Sequence, residues 1–440
     1  MTTQHYDLEY VAAKAIELAK KNGANSAEVN VNSERGFSVT ARMRNVETLE
    51  HHQGKNLNIT VYKDHCVGLA STSDFSEQAL QEAAKKASTI ASYTQKDLCS
   101  GLAEAELMAY DYHDLGLYHH WDLSPDDAIN IALDCEEQAL QDTRIKSSEG
   151  AAVSTYDSEN IYINTHGFVG SSASSMHNIS CSLIAEKDGV MHRDYEFSCA
   201  RKSDDLMPVS AIASNVVDKT VKRLGARRLK TQQSPIIFHP SVAKKLIGHF
   251  LSAISGSSLY RESSFLLDHL GRTIFPEFMN IYQDPAIIGG YGSTAFDNQG
   301  VKTARRHYVE EGVLSSYVLG CYSARKLGLD TTGNAGGVFN LFVSSSELTL
   351  TDLLRDMGTG LLVTELMGQG VNILTGDYSR GAFGYWVENG VIEYPVHEIT
   401  IASNLKDMFA NIVAVGNDVD NRTNVKTGSI WVDEMTIAGE

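Results

Sequence analysis

Asp377, Tyr378, Ser379 and Arg380 set a carboxylate, a phenol, a hydroxyl and a guanidinium side by side between runs of β-type residues. Such a group is costly to bury, so it either faces solvent as a turn or lines a groove that holds a polar ligand. The elements that must position it are legible around it. Residues 367–400 carry three β-type runs with glycine at nearly every change of direction. They read as consecutive antiparallel strands, with Asn389-Gly390 supplying the positive φ angles of a tight hairpin. The polar cluster then falls at a bend between strands.

Other chemistry is sparse. A hydrolytic zinc site of the HExxH or HExxxH kind needs two imidazoles on one helical face and a carboxylate that activates water. His397-Glu398 has no second His four or five residues on, and no other His-Glu pair occurs. The pairs His51-His52 and His119-His120 point in different directions on any regular element, and His113 lies in a stretch without periodicity. Gly-x-Ser-x-Gly is absent, and the serine-rich run 171–175 reads as a solvated strand end rather than the setting of a nucleophile. Gly289-Gly290, Gly336-Gly337 and Gly368-x-Gly370 lack the strand, loop and helix order of a phosphate cradle, and turns explain them.

A chain of 440 residues with 42% hydrophobic and 21% charged residues is an ordinary globular composition, too long for one core. Two or three domains are expected. The formal charge of -18, from 37 basic and 55 acidic residues, repels phosphate backbones and anionic lipid, so neither nucleic acid nor membrane is an expected partner. The first residues lack the basic start and apolar core of a secretory signal, and no run approaches the length of a spanning helix. Six cysteines stand outside any C-x-x-C pair, which fits reduced thiols and a cytoplasmic protein.

Periodicity predicts a multi-domain α+β fold. Leu8, Val11, Ala12, Ala15, Ile16 and Ala19 make a helical stripe over 7–22, and short alternating runs from Ala27 to Ser73 make a strand meander. Asp74 with Glu77 resembles a capping box for a second helix, which closes a domain over 1–100. A middle α+β domain follows over 101–230. It has a helix from Ser124-Pro125 to about Thr143, strands with a hairpin at Asp188-Gly189, and a helix over about 205–224. The last domain, 231–440, opens with the buried strand PIIFHP and a helix from Ser241 to about Ser255, and is β-rich beyond it.

Three longer phrases carry a resemblance: SARKLGLDTTGNAGG at 323–337, MGTGLLVTELMGQGVNILTGDYSRGAFGYWVENGVIEYPV at 357–396, and SNLKDMFANIVAVGNDVDNRTN at 403–424. In this order they resemble the PmbA (TldE) branch of the TldD/PmbA metalloprotease family, over essentially the whole chain. The resemblance implies a cytosolic protease assembled from TldD-type and PmbA-type subunits. It acts on unfolded or leader peptides, as in maturation of an antibacterial microcin and degradation of an antitoxin. In TldD the zinc site resembles HExxxH on a helix plus a cysteine near the C-terminus. The matching helix here is 246–261, where the two His positions become Gly248 and Ala253, the Glu position becomes His249, and the cysteine position falls at about Thr427. The resemblance therefore implies a subunit with no catalytic or metal-ligating residues of its own, zinc being supplied by the TldD-type partner. His249, Arg261 and the cluster Asp377, Tyr378, Ser379, Arg380 are the expected substrate-contacting residues. The alternative is a free-standing peptide-binding adaptor, and a homodimer is expected when the chain is isolated.

Overall fold

The computed structural model describes residues 7–439. The five short runs expected after Ala27 fuse into three strands, β1 (Ser26–Arg42), β2 (Asn45–Lys63) and β3 (Cys66–Thr72). Gly36, which separates two of those runs in the sequence, lies inside β1 and not at a turn, and an added Cβ there would sit 2.0 Å from the Thr155 carbonyl oxygen. It marks a close backbone approach instead. The turns fall at Met43-Arg44 and Asp64-His65, all four with positive φ. Met and Arg are poor residues for that conformation. The buried Glu136 carboxylate compensates by accepting the N–H groups of Met43 and Arg44 at 2.9 and 2.7 Å.

The middle strands are β4 (Ile145–Asn164), β5 (Val169–Lys187) and β6 (Val190–Ala200). β1 pairs with β4 from Glu28 to Ala41, so both sets join one antiparallel sheet of order β3-β2-β1-β4-β5-β6. One face of β1 is apolar in two stretches, Ala27 to Val31 and Phe37 to Ala41, separated by Ser33 and Arg35. The helices α1 (Leu8–Lys21) and α2 (Glu77–Tyr93) cover Val29 and Val31 at one end, while α3 (Pro125–Ala139) and α4 (Val209–Lys222) cover Phe37 and Val39 at the other. The cap of α2 is Ser76, whose hydroxyl accepts the Ala79 N–H; Asp74 instead accepts from Ser76. Ser124 caps α3 as read, but that helix ends at Ala139.

Beyond residue 230 the order is β7 (Gln232–Phe238), α5 (Pro240–Ala253), α6 (Gly256–Tyr260), β8 (Ile281–Gln283), β9 (Arg306–Glu310), β10 (Val313–Leu314), α7 (Cys321–Leu327), β11 (Leu341–Val343) and α8 (Leu350–Met357). Then come β12 (Gly360–Met367), β13 (Asp377–Glu388), β14 (Val391–Asn404), α9 (Leu405–Ala410), β15 (Ile412–Val415), β16 (Val425–Lys426) and β17 (Ile430–Ala438). Six strands form a sheet of order β14-β13-β12-β7-β17-β15, with β14 also pairing to β17, so the sheet curls towards closure. A second sheet runs β10-β9-β8-β11-β16. The main core lies between them and α5, with Phe250, Phe275, Tyr308 and Phe409 fully buried.

The hairpin at Asn389-Gly390 joins β13 to β14, with φ of 51° and 78°. The polar cluster is not at a bend. Asp377–Arg380 are the first four residues of β13, paired with Asn404 to Ile401 on β14. The turn lies just before, where the Asn372 side chain accepts the Leu374 N–H and Gly376 takes φ 85°. Strand alternation then separates the four: Tyr378 and Arg380 are buried, Asp377 and Ser379 exposed.

Candidate functional site

α5 starts where Pro240 occupies the first turn and the His239 ring accepts the Ser241 N–H, and it buries Leu246, Ile247 and Phe250 in the core. The 3.6-residue period brings Lys245 and His249 to one remaining face. The His249 ring meets Tyr378 of β13 edge to face, with centroids 6.0 Å apart. Among the described residues neither His249 Nε2 nor the Tyr378 hydroxyl has a hydrogen-bond partner, although both atoms are buried. Arg380, two residues along the same face of β13, donates from Nε to the Met367 carbonyl at 3.1 Å.

Burial, then the like charge of Arg380, pulls the His249 imidazole below its ordinary pKa, so it is neutral at physiological pH. The same two causes in the same order lower the Lys245 ammonium. Burial pushes the Tyr378 phenol up, which keeps it a hydroxyl donor. A neutral imidazole, a phenol and two cations together suit the binding of a carbonyl or carboxylate oxygen. They supply no activated nucleophile.

The structure brings His249, Tyr378 and Arg380 together and leaves the other three expected residues outside. Arg261 follows α6 and donates to the hydroxyl of its neighbour Tyr260 at 3.2 Å. Asp377 accepts from Thr375 and Asn404, and Ser379 points outward from the sheet. Gly248 has open space where a side chain would project, Ala253 is buried in the core, and the buried Thr427 hydroxyl donates to the Gly428 carbonyl at 3.1 Å. This donor set does not fit zinc, which takes His nitrogen, thiolate or carboxylate in tetrahedral array.

Three domain profiles match the chain in order: PmbA/TldA metallopeptidase domain 1 over residues 27–91, the central domain over 118–224 and the C-terminal domain over 231–439. The chain belongs to the PmbA/TldA metallopeptidase family. Among its relatives, "Metalloprotease PmbA homolog" of Haemophilus influenzae is 47% identical, covering 100% of this chain and 98% of that one. "Metalloprotease PmbA" of Escherichia coli O157:H7 is 45% identical over 98% of this chain and 96% of its own. A crystal structure described as a putative modulator of DNA gyrase from Bacteroides thetaiotaomicron superposes with a TM-score of 0.93 at 27% identity, covering 99% of this chain and 100% of that one. TldE from Thermococcus kodakarensis shares the fold at a TM-score of 0.81 and 21% identity, over 98% and 100% of the two chains.

In this PmbA/TldA-family chain the residue that sequence reading missed is Lys245. A signal for it existed, since it stands four residues before His249 on one helix. Tyr378→Phe tests whether the unpartnered hydroxyl is a structural liability. Removing a buried, unsatisfied hydroxyl is expected to leave stability unchanged or raise it by up to about 1 kcal/mol. Urea denaturation measures this, and a loss of more than that amount would mean the hydroxyl is bonded in the folded chain.

A second polar region lies where the central sheet meets residues 294–298. Asp297 is 2% exposed and accepts the N–H groups of Gln299, Val301 and Ala335, yet burial outweighs these bonds and pushes its carboxyl up from 3.8 to about 6. A raised carboxyl pKa stabilises the fold below the unfolded value, and that contribution is lost as pH rises through the folded one. Stability should therefore fall by up to about 3 kcal/mol between pH 4 and pH 6.5 on account of Asp297, at about 1.4 kcal/mol per unit. Denaturation midpoints across that window are expected to lose this component in Asp297→Asn, whatever that variant does to absolute stability.

Proposed function

We propose that the chain is the non-catalytic subunit of a two-component metallopeptidase of the cytoplasm, in which a TldD-type partner holds zinc. Its substrates are unfolded proteins and leader peptides of the kind trimmed in microcin maturation or lost in antitoxin degradation. What supports this reading is the contrast between relatives named metalloprotease over nearly the whole chain and a helix with Gly248 and Ala253 where the resemblance implies zinc ligands. The cluster of His249, Tyr378, Arg380 and Lys245 supports a substrate contact. Buried donors with no internal partner gain when a substrate oxygen reaches them. Neutral imidazole and phenol also hold a main-chain carbonyl without selecting its side chain, as a protease of disordered chains requires. Isolated protein is expected to be a homodimer through the face that the partner otherwise covers.

The test is a cleavage assay on a disordered peptide with this chain alone, the TldD-type partner alone, and the two mixed. Cleavage is expected from the mixture and is abolished by chelator, while this chain alone gives none. Chelator-sensitive cleavage by this chain alone would overturn the division of labour. Failure of the two proteins to associate would instead favour a free-standing peptide-binding adaptor.

A further inference from the structure

The face of the central sheet turned away from α1–α4, which residues 294–298 cover only at its Tyr162 end, is unusual. Asn30 and Asn32 on β1, Asn56 and Asn58 on β2, Asn160 on β4 and Asn178 on β5 all project from it, since directly paired antiparallel residues share a face. Asn58 pairs with Asn30, and Asn56, Asn32, Asn160 and Ser172 form an unbroken row across four strands. These asparagines are half-exposed, and among the described residues only Asn32 uses its side-chain amide internally, donating to Ser158 Oγ at 3.2 Å.

Asparagine is depleted from strands, where β-branched and aromatic side chains fit better. Six on one sheet face weaken the sheet and contribute nothing to the core, which lies on the other side. Rules broken without structural gain point to a binding role.

The chemistry of the face selects its occupant. Over the rows from Asn58 to Asn178 no Lys or Arg projects, and the acids are Glu34 and Glu50, so a polyanion finds no counter-charge in a chain already at -18. A primary amide carries a donor and an acceptor in one plane, as a peptide group does, so the two pair by two-point hydrogen bonding whatever the peptide's side chains. The spacing agrees as well. Alternate residues along a strand are about 6.8 Å apart, which is also the two-residue repeat of an extended peptide lying parallel to them. At one end the track enters a cavity of about 230 Å³ between Asn30, Asn160 and Tyr162 on the sheet and Asp297 and Asn298 opposite.

We infer that this amide face is a main-chain-reading track on which an extended, unfolded polypeptide lies along β1. The inference deepens the proposed role as a substrate-contacting subunit and rests on it: the track would gather substrate by its backbone before cleavage elsewhere.

Fluorescence anisotropy with a labelled, disordered 20-residue Gly/Ser/Gln/Ala peptide tests it on the full-length chain. Three further ligands are a scrambled peptide, a peptide N-methylated at alternate residues, and maltoheptaose. Scrambling is expected to change affinity less than twofold, and N-methylation to weaken it at least tenfold. The variant Asn32→Thr/Asn56→Thr/Asn160→Thr, which raises strand propensity, is expected to bind at least tenfold more weakly with an unchanged melting temperature. It should still associate with the TldD-type partner. Should the triple variant unfold, hydrogen exchange of wild type decides, with peptide-induced protection expected in β1 and β4. Equal binding of the N-methylated peptide, wild-type affinity in a folded triple variant, protection elsewhere, or binding of maltoheptaose alone would each overturn the inference. Wild-type association with the partner but no peptide binding would sink the track and leave the proposed function standing.

Discussion

Replacing Arg422 with leucine is expected to cost about 3 kcal/mol, because it breaks a largely buried ion network and leaves Glu196 and Asp420 with one lysine each. Arg422 donates to Glu196 Oε1 at 2.7 Å, to the Phe197 carbonyl at 2.9 Å and to Asp420 Oδ1 at 2.9 Å, and its guanidinium lies 4.5 Å from the centre of the Phe197 ring. Glu196 is only 4% exposed and, among the described residues, keeps one other cation, Lys219, at 2.7 Å. Since Glu196 belongs to β6 and Arg422 to the segment before β16, the network ties the central sheet to the last third of the chain. The penalty should depend on pH. Burial would raise the carboxyl of Glu196, but Lys219 and Arg422 outweigh it and hold it low; Asp420 is held low in the same way by Arg422 and Lys244. Carboxyls with lowered pKa stabilise above their ordinary range and lose that stabilisation as pH falls through the folded values. Urea denaturation at pH 7.5 and pH 4 should therefore show the wild-type advantage shrinking in acid. A pH-independent difference would mean that the packing on Phe197, not the charge, holds the segment.

Phe409→Ala is expected to be of similar size, about 3–5 kcal/mol, by cavity formation. Phe409 is 1% exposed and packs against Phe275 at 4.8 Å and against Phe250 and Phe265 at 6.1 Å between ring centres. Phe250 neighbours His249 on α5, so the cavity opens beneath the helix that carries the candidate site. Two readouts follow: a lowered urea midpoint, and faster hydrogen exchange in α5 than in the central sheet. Phe409→Leu, which keeps much of the volume, should recover most of both. A loss below about 1 kcal/mol in the alanine variant would show that the core collapses around the gap.

The family and the α+β class were legible in the chain itself. Three long phrases identified the family, and helical stripes such as Leu8 to Ala19 marked helices because their 3.6-residue period is a local property. The Asn389-Gly390 hairpin was readable for the same reason, since those residues accept positive φ unaided. Met43-Arg44 was not, because that turn depends on a carboxylate 92 and 93 residues away in sequence. The absence of a second His near His249 was equally a matter of residue identity. Which side chains accompany His249 was decided only by tertiary structure. Strand pairing set the parity of β13, turning Tyr378 and Arg380 inward and Asp377 and Ser379 outward, and packing of α5 on that strand added Lys245. The amide face needed the same step: Asn30, Asn56 and Asn160 are far apart along the chain, and only the register of β2, β1 and β4 aligns them. Local patterns fix the elements because each residue's neighbours in sequence set its φ, ψ and exposure period. The site depends on pairings over more than a hundred residues, which no local pattern encodes.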